Sequence, residues 1–141
     1  MIKWDDAYSV GIPSIDEQHK KLFQYFADLE AAVKEQDINK ALFLHILDYL
    51  EDYAKLHFGD EESCMHRFKC PIAQTNQIAH CRFIEAYGYF RKLLEKEGAT
   101  HQLFNALLTW AGEWLVDHIC KIDLQLRPLV KKSEAANKSK T

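Results

Sequence analysis

Leu50-Glu51-Asp52-Tyr53-Ala54-Lys55-Leu56-His57-Phe58-Gly59-Asp60-Glu61-Glu62-Ser63-Cys64 is the stretch whose reading decides the fold. Ile46, Leu50, Tyr53, His57, Glu61 and Cys64 recur at intervals of three and four, which puts them on one face of an α-helix. Partway along that face the apolar residues give way to an imidazole and a carboxylate. Taken alone, His57 and Glu61 would be an ordinary solvated i,i+4 pair. Continuing the stripe of Leu50 and Tyr53, they point inward instead.

Working outward, the helix carrying this stripe is expected over about Lys40–Met65. Arg67-Phe68-Lys69-Cys70-Pro71 ends it, since proline disfavours helix at the residue before it. A third helix, about Ile72–Lys96, has the stripe Asn76, His80, Phe83, Tyr87, Phe90 and Leu94, closed by Gly98 as a C-cap. Thr100 opens a fourth helix from about His101 to Ile119 or beyond, with Leu103, Leu107, Trp110, Trp114 and His118 inward. Before the stretch lies a first helix from about Glu17 to Gln36, striped by Leu22, Phe26, Leu29 and Val33. It follows an N-terminal arm that includes Pro13 and ends near Asp16. Asp37-Ile38-Asn39 reads as a short turn with an N-cap. Ser133–Thr141 is polar and expected to fray, leaving residues 1–132 as one domain and 133–141 as a disordered tail. Strand-like alternation is absent from the pattern. Four helices of about 20 residues, each about 30 Å long, joined by short turns, specify an all-α, antiparallel up-down-up-down four-helix bundle.

In such a bundle the starts of the first and third helices share an end with the finishes of the second and fourth. His19 and His80 are near starts; His57, Glu61, His118 and Asp123 are near finishes. All six therefore meet at one level of the core. Each has a bland explanation by itself, but burying this set without partners costs several kcal/mol. Metal ions remove that cost, and histidine with carboxylate in a bundle suits iron ahead of manganese or zinc. His45, His66 and His101 miss this level and need no special role. His118 and Asp123 are five apart, about 140° around an ideal helix. A π-type turn, a kink or a helix end is expected between Ile119 and Ile122 if both are to face one site.

Bulk properties narrow the classes. The chain has 141 residues, 48% hydrophobic and 28% charged, with a net charge of −3. That balance offers no footprint for nucleic acid or an anionic membrane. No apolar run approaches the ~20 residues of a membrane span. Met1-Ile2-Lys3-Trp4-Asp5-Asp6 lacks a signal-peptide core, so a cytoplasmic protein is expected. Cys64, Cys70, Cys81 and Cys120 show no CxxC spacing and are expected as thiols, mostly as small buried hydrophobes.

The quoted residues also carry a resemblance. Trp4, Tyr8-Ser9-Val10-Gly11-Ile12 and Ile15-Asp16-Glu17-Gln18-His19, then His57-Phe58 through Glu61-Glu62 to Met65, Pro71, His80 and Phe83, and finally Trp114-Leu115-Val116-Asp117-His118-Ile119 and Asp123, resemble the bacterial branch of the hemerythrin family over about residues 2–130. The resemblance implies a non-haem di-iron centre, bridged by oxo or hydroxo, that binds dioxygen reversibly for storage, delivery or sensing. It implies His19 and His57 on the iron with an open position, Glu61 and Asp123 bridging, and His80 and His118 on the second iron. Two departures stand out. Asn76 occupies the place of a further family histidine, and Leu126 stands where many relatives have tyrosine. Asn76 falls on the inward stripe. It can ligate weakly through its oxygen, hold a water, or leave the second metal poorly bound; the bland alternative is a polar residue in a first helical turn. Phe23, Phe58, Trp114 and Ile119 are candidate walls of a dry pocket. The rival functions are a di-iron peroxidase or oxidase, a gas- or redox-sensing module, and a metal store.

Overall fold

The computed structural model describes residues 2–35 and 39–139. Four long helices carry the architecture: α1 (Pro13–Glu35), α2 (Lys40–Arg67), α3 (Ala73–Glu97) and α4 (His101–Lys121). They form the expected four-helix bundle, and the described residues contain no strand. A single 3-10 turn, Asp6–Tyr8, precedes them; a second, Asp123–Gln125, leads into α5 (Leu126–Ser139).

The ends are set by local chemistry. α1 begins at Pro13, four residues before the expected start, with Pro13 inside the helix rather than in the arm. Proline suits a first helical position, where its missing N–H would have had no partner anyway. Asn39 caps α2 by accepting from Leu42 N at 2.8 Å, and Thr100 caps α4 by accepting from Leu103 N at 3.0 Å. The rest of the expected turn, Asp37-Ile38, and the expected end of α1 at Gln36 lie outside the described residues. α2 ends on a Schellman motif: Lys69 N donates to His66 O at 3.0 Å and Cys70 N to Met65 O at 2.8 Å, with Lys69 left-handed at φ 51°.

The expected irregular tail requires correction. Residues 133–139 continue α5 as helix, its last six exposed. Glu, Ala and Lys have high helix propensity, so a polar composition there fits an exposed helical extension as well as a frayed end. Lys140 and Thr141 lie outside the described residues.

Two apolar cores flank the ligand level. The larger contains Phe43, Leu47, Leu94, Leu103, Phe104 and Leu107, with Phe43 and Phe104 4.9 Å apart between ring centroids. Tyr87 sits in it and donates its hydroxyl to Leu47 O at 2.8 Å. The smaller core, Val10, Ile12, Ile15, Cys64, Met65, Cys70, Leu126 and Val130, joins the arm, the α2–α3 turn and α5. A polar latch fastens it. Asp16 accepts from Ser9 Oγ at 2.6 Å and from Val10 N at 2.8 Å, and the Arg127 guanidinium donates to the carbonyls of Ser9 (2.8 Å) and Ala7.

Candidate metal centre

Each helix delivers one or two polar side chains to the level between the cores. α1 supplies His19, α2 His57 and Glu61, α3 Asn76 and His80, and α4 His118, while Asp123 comes from the turn after α4. All seven are buried, with His19, Glu61, Asn76 and Asp123 fully inaccessible. The expected break after His118 is a helix end: α4 stops at Lys121, and Ile122 follows as a turn residue with φ stretched to −117° at ψ −61°. That step swings Asp123 back towards the bundle axis, where its carboxylate meets His118 Nε2 at 3.1 Å.

The donor atoms sort into two groups around the carboxylates. Glu61 Oε2 faces His19 Nε2 (3.3 Å) and His57 Nε2 (3.4 Å), and Asp123 Oδ2 faces His19 Nε2 at 3.2 Å. On the other side Glu61 Oε1 faces His80 Nε2 (3.2 Å) and His118 Nε2 (3.8 Å), and Asp123 Oδ1 faces His118 Nε2. Asn76 Oδ1 lies 2.8 Å from His118 Nε2, and the Nε2 atoms of His80 and His118 are 3.1 Å apart. Each carboxylate thus offers one oxygen to each group. The sets His19–His57–Glu61 and Glu61–His80–His118 each have the density of donors a cation requires.

Electrostatics say the same. Burial alone would push the His19 imidazole down, but the carboxylates of Asp123 and Glu61 facing it at 3.2 and 3.3 Å raise it from 6.5 to about 9. His118 behaves likewise: burial opposes, and the same two carboxylates lift it to about 9. Burial would raise Glu61, yet the imidazoles of His118, His19, His57 and His80 facing its oxygens hold it well below its ordinary value. Among the described residues, both nitrogens of His19, both oxygens of Glu61 and of Asp123, and Asn76 Nδ2 have no good hydrogen-bond partner. Buried donors and acceptors are rarely left so. A pair of cations set between the two groups would meet the carboxylate oxygens and imidazole nitrogens together, so these residues fit a dinuclear metal group.

The rings are held from outside as well. Phe58 stacks on His80 at 3.9 Å and 8°, and Trp114 on His118 at 4.4 Å and 13°. Ile119 is fully buried, whereas Phe23 stacks on Tyr8. His57 Nδ1 lies 2.7 Å from Gln18 Oε1, and His80 Nδ1 lies 3.2 Å from Glu62 Oε2. Sequence reading assigned no role to Gln18 or Glu62. Each neighbours a candidate ligand in the chain but serves a histidine on a different helix, and only the packing reveals that. His45, His66 and His101 are exposed and away from the group, as expected. Leu126 is fully buried in the smaller core.

An antiparallel bundle with two groups of histidine and carboxylate donors inside it defines a class of metal-binding helical proteins. Residues 10–130 match the Hemerythrin HHE cation binding domain, and the chain belongs to the hemerythrin family. It is 30% identical over 124 residues to a myohemerythrin of Sipunculus nudus, covering 88% of this chain and 89% of that one. It is 26% identical over 119 residues to a bacteriohemerythrin of Stenotrophomonas maltophilia (84% and 74% covered). With a bacteriohemerythrin of Clostridium acetobutylicum it shares 27% over 131 residues (87% and 96%). A crystal structure of wild-type hemerythrin superimposes with a TM-score of 0.77 at 22% identity, covering 92% of this chain and 98% of that chain, which bears on the fold.

Proposed function

We propose that this chain is a non-haem di-iron protein that binds dioxygen reversibly, with His19, His57, Glu61, His80, His118 and Asp123 as ligands and Asn76 as a weak seventh donor. The observation that carries the reading is the division of Glu61 and Asp123, one oxygen of each to each histidine group. When bound, a pair of iron ions supplies the electrons that reversible dioxygen binding needs; an oxo or hydroxo bridge would complete the pair.

The protein's own part is to be unequal and dry. The first position gathers four donors: His19, His57 and one oxygen each of Glu61 and Asp123. The second gathers five, adding Asn76 Oδ1 to His80, His118 and the other two oxygens. The first position is therefore the more open one and the natural side for a small ligand. Phe58 and Trp114 cover the rings of His80 and His118, and Ile119, next to His118 in the chain, is fully buried, which keeps this level dry. No helix is long and apolar enough to cross a membrane among the described residues. Four unpaired cysteines fit a reducing compartment such as the cytoplasm.

The test is spectroscopic. Iron-loaded protein, reduced without air and then exposed to it, should develop a new visible absorption that disappears on removing oxygen and returns on a second exposure. Irreversible bleaching in one cycle, or failure to retain about two irons per chain, would refute the reading. Steady turnover of peroxide with a reducing dye would favour the peroxidase alternative.

A further inference from the structure

Three consecutive acids on α2 face three different ways. Glu61 points into the core, Glu62 reaches His80, and Asp60 stands at the surface, 2.7 Å from Gln18 Nε2. Gln18, half-buried on α1, presents its other amide atom, Oε1, to His57 Nδ1 at 2.7 Å. The direction of this chain of contacts is forced. An ionised carboxylate can only accept, so Gln18 must turn its NH2 group to Asp60. Its carbonyl oxygen then faces His57 and can only accept, so Nδ1 of His57 must carry the hydrogen. In the neutral ring that leaves the lone pair of His57 on Nε2, the nitrogen that faces Glu61 Oε2 at 3.4 Å.

We infer that Asp60 and Gln18 are positioning residues for the first metal position, fixing which nitrogen of His57 is free to ligate. The inference rests on the metal reading above for its purpose, but the hydrogen-bond relay exists without it. The donors differ by design along this set: His80 is backed by the carboxylate of Glu62, His57 by an amide that relays a carboxylate, and His19 Nδ1 by no partner among the described residues. A partner that accepts from the far nitrogen orients the ring and strengthens the near nitrogen as a ligand. His57 is thereby oriented by a surface charge that reaches it only through the Gln18 amide.

The relay is tested on the full chain without metal, by the ring nitrogen NMR signals of His57, and separately by affinity for zinc alone. In the parent, the neutral ring should be almost wholly the Nδ1–H tautomer. Gln18→Leu and Asp60→Ala, both at accessible positions, should admit the Nε2–H tautomer, and zinc affinity should fall about tenfold in the first and less in the second. The double substitution Gln18→Glu with Asp60→Asn keeps an acceptor before Nδ1 and should restore both readouts, which a general packing defect would not allow. Glu62→Gln should leave the His57 signals unchanged. An unaltered His57 tautomer in both Gln18→Leu and Asp60→Ala would overturn the relay. A changed tautomer with unchanged zinc affinity would leave the relay standing and count against His57 as a ligand.

Discussion

His19 and His118 hold their protons to about pH 9 in the metal-free protein because Asp123 and Glu61 face them. A raised histidine stabilises the fold fully below its ordinary value of 6.5 and loses that contribution as pH rises through about 9. Glu61 is depressed, so its contribution is present above its ordinary value of 4.5 and is lost as pH falls through the lowered folded value. The metal-free protein should thus be most stable between pH 4.5 and 6.5 and weaken towards 9, as a pH series of denaturant midpoints would show. Metal must displace the same protons, so zinc affinity should rise with pH until about 9, by up to about tenfold per unit for each proton released. Calorimetry in two buffers of different ionisation heat counts those protons; no release would contradict the assignment. Asn76 makes the opposite kind of claim. Its amide oxygen is a weaker donor than imidazole, and it already sits 2.8 Å from His118 Nε2. Asn76→His should raise the metal content retained through dialysis and slow autoxidation. Equal retention and an equal rate would show that the amide does not limit this site.

At the scale of elements, the bundle was legible in the sequence because polar ligand types interrupt otherwise apolar stripes at matching heights. His57 after Tyr53 and His80 before Phe83 are the clearest cases. The five-residue spacing of His118 and Asp123 also announces a π-type turn, a kink or a helix end, since no straight helix turns both inward, and of the three it is a helix end, after Lys121. What stayed hidden depends on contacts across long sequence separations. Arg127 binds the carbonyls of Ala7 and Ser9 from the far end of the chain, and no local pattern encodes that pairing. α5 is not legible as a helix of its own, and past residue 132 it reads as a tail, because an exposed helix and a frayed end share one composition. The α2–α3 turn yields a prediction. Lys69 occupies the left-handed position of the Schellman motif, where glycine avoids the Cβ penalty. Lys69→Gly relieves a left-handed cost of roughly 1–2 kcal/mol against an unfolded-chain entropy cost of roughly 0.4–1 kcal/mol, so unfolding stability should rise by roughly 0.5–1 kcal/mol in a denaturant titration, leaving metal content unchanged; a loss would mean the lysine side chain makes a compensating contact.

For the whole molecule, the ligand level lies between two cores, so fold stability and metal binding are linked but separable. The larger core is built from apolar residues and includes none of the seven metal-level side chains, so the metal-free chain should remain folded rather than collapse as a small metal-nucleated domain would. Metal still binds only the folded state. At free zinc a hundredfold above its dissociation constant, linkage adds about 2.7 kcal/mol, on the order of 10 °C in melting temperature for a chain of this size. Leu47 tests the separation. It is fully buried in the larger core, ten residues and so about 15 Å along α2 from His57. Leu47→Ala leaves a cavity and should cost about 2–5 kcal/mol in both forms. Because sites this far apart act additively, the gap between zinc-loaded and metal-free melting temperatures should match that of the parent. Glu61→Ala should do the reverse: it removes a carboxylate shared by both histidine groups, so the zinc-dependent gap should shrink towards zero while the larger core stays intact. If Leu47→Ala closed the gap as fully as Glu61→Ala, the two cores would be one cooperative unit and the metal level would have no stability of its own to contribute.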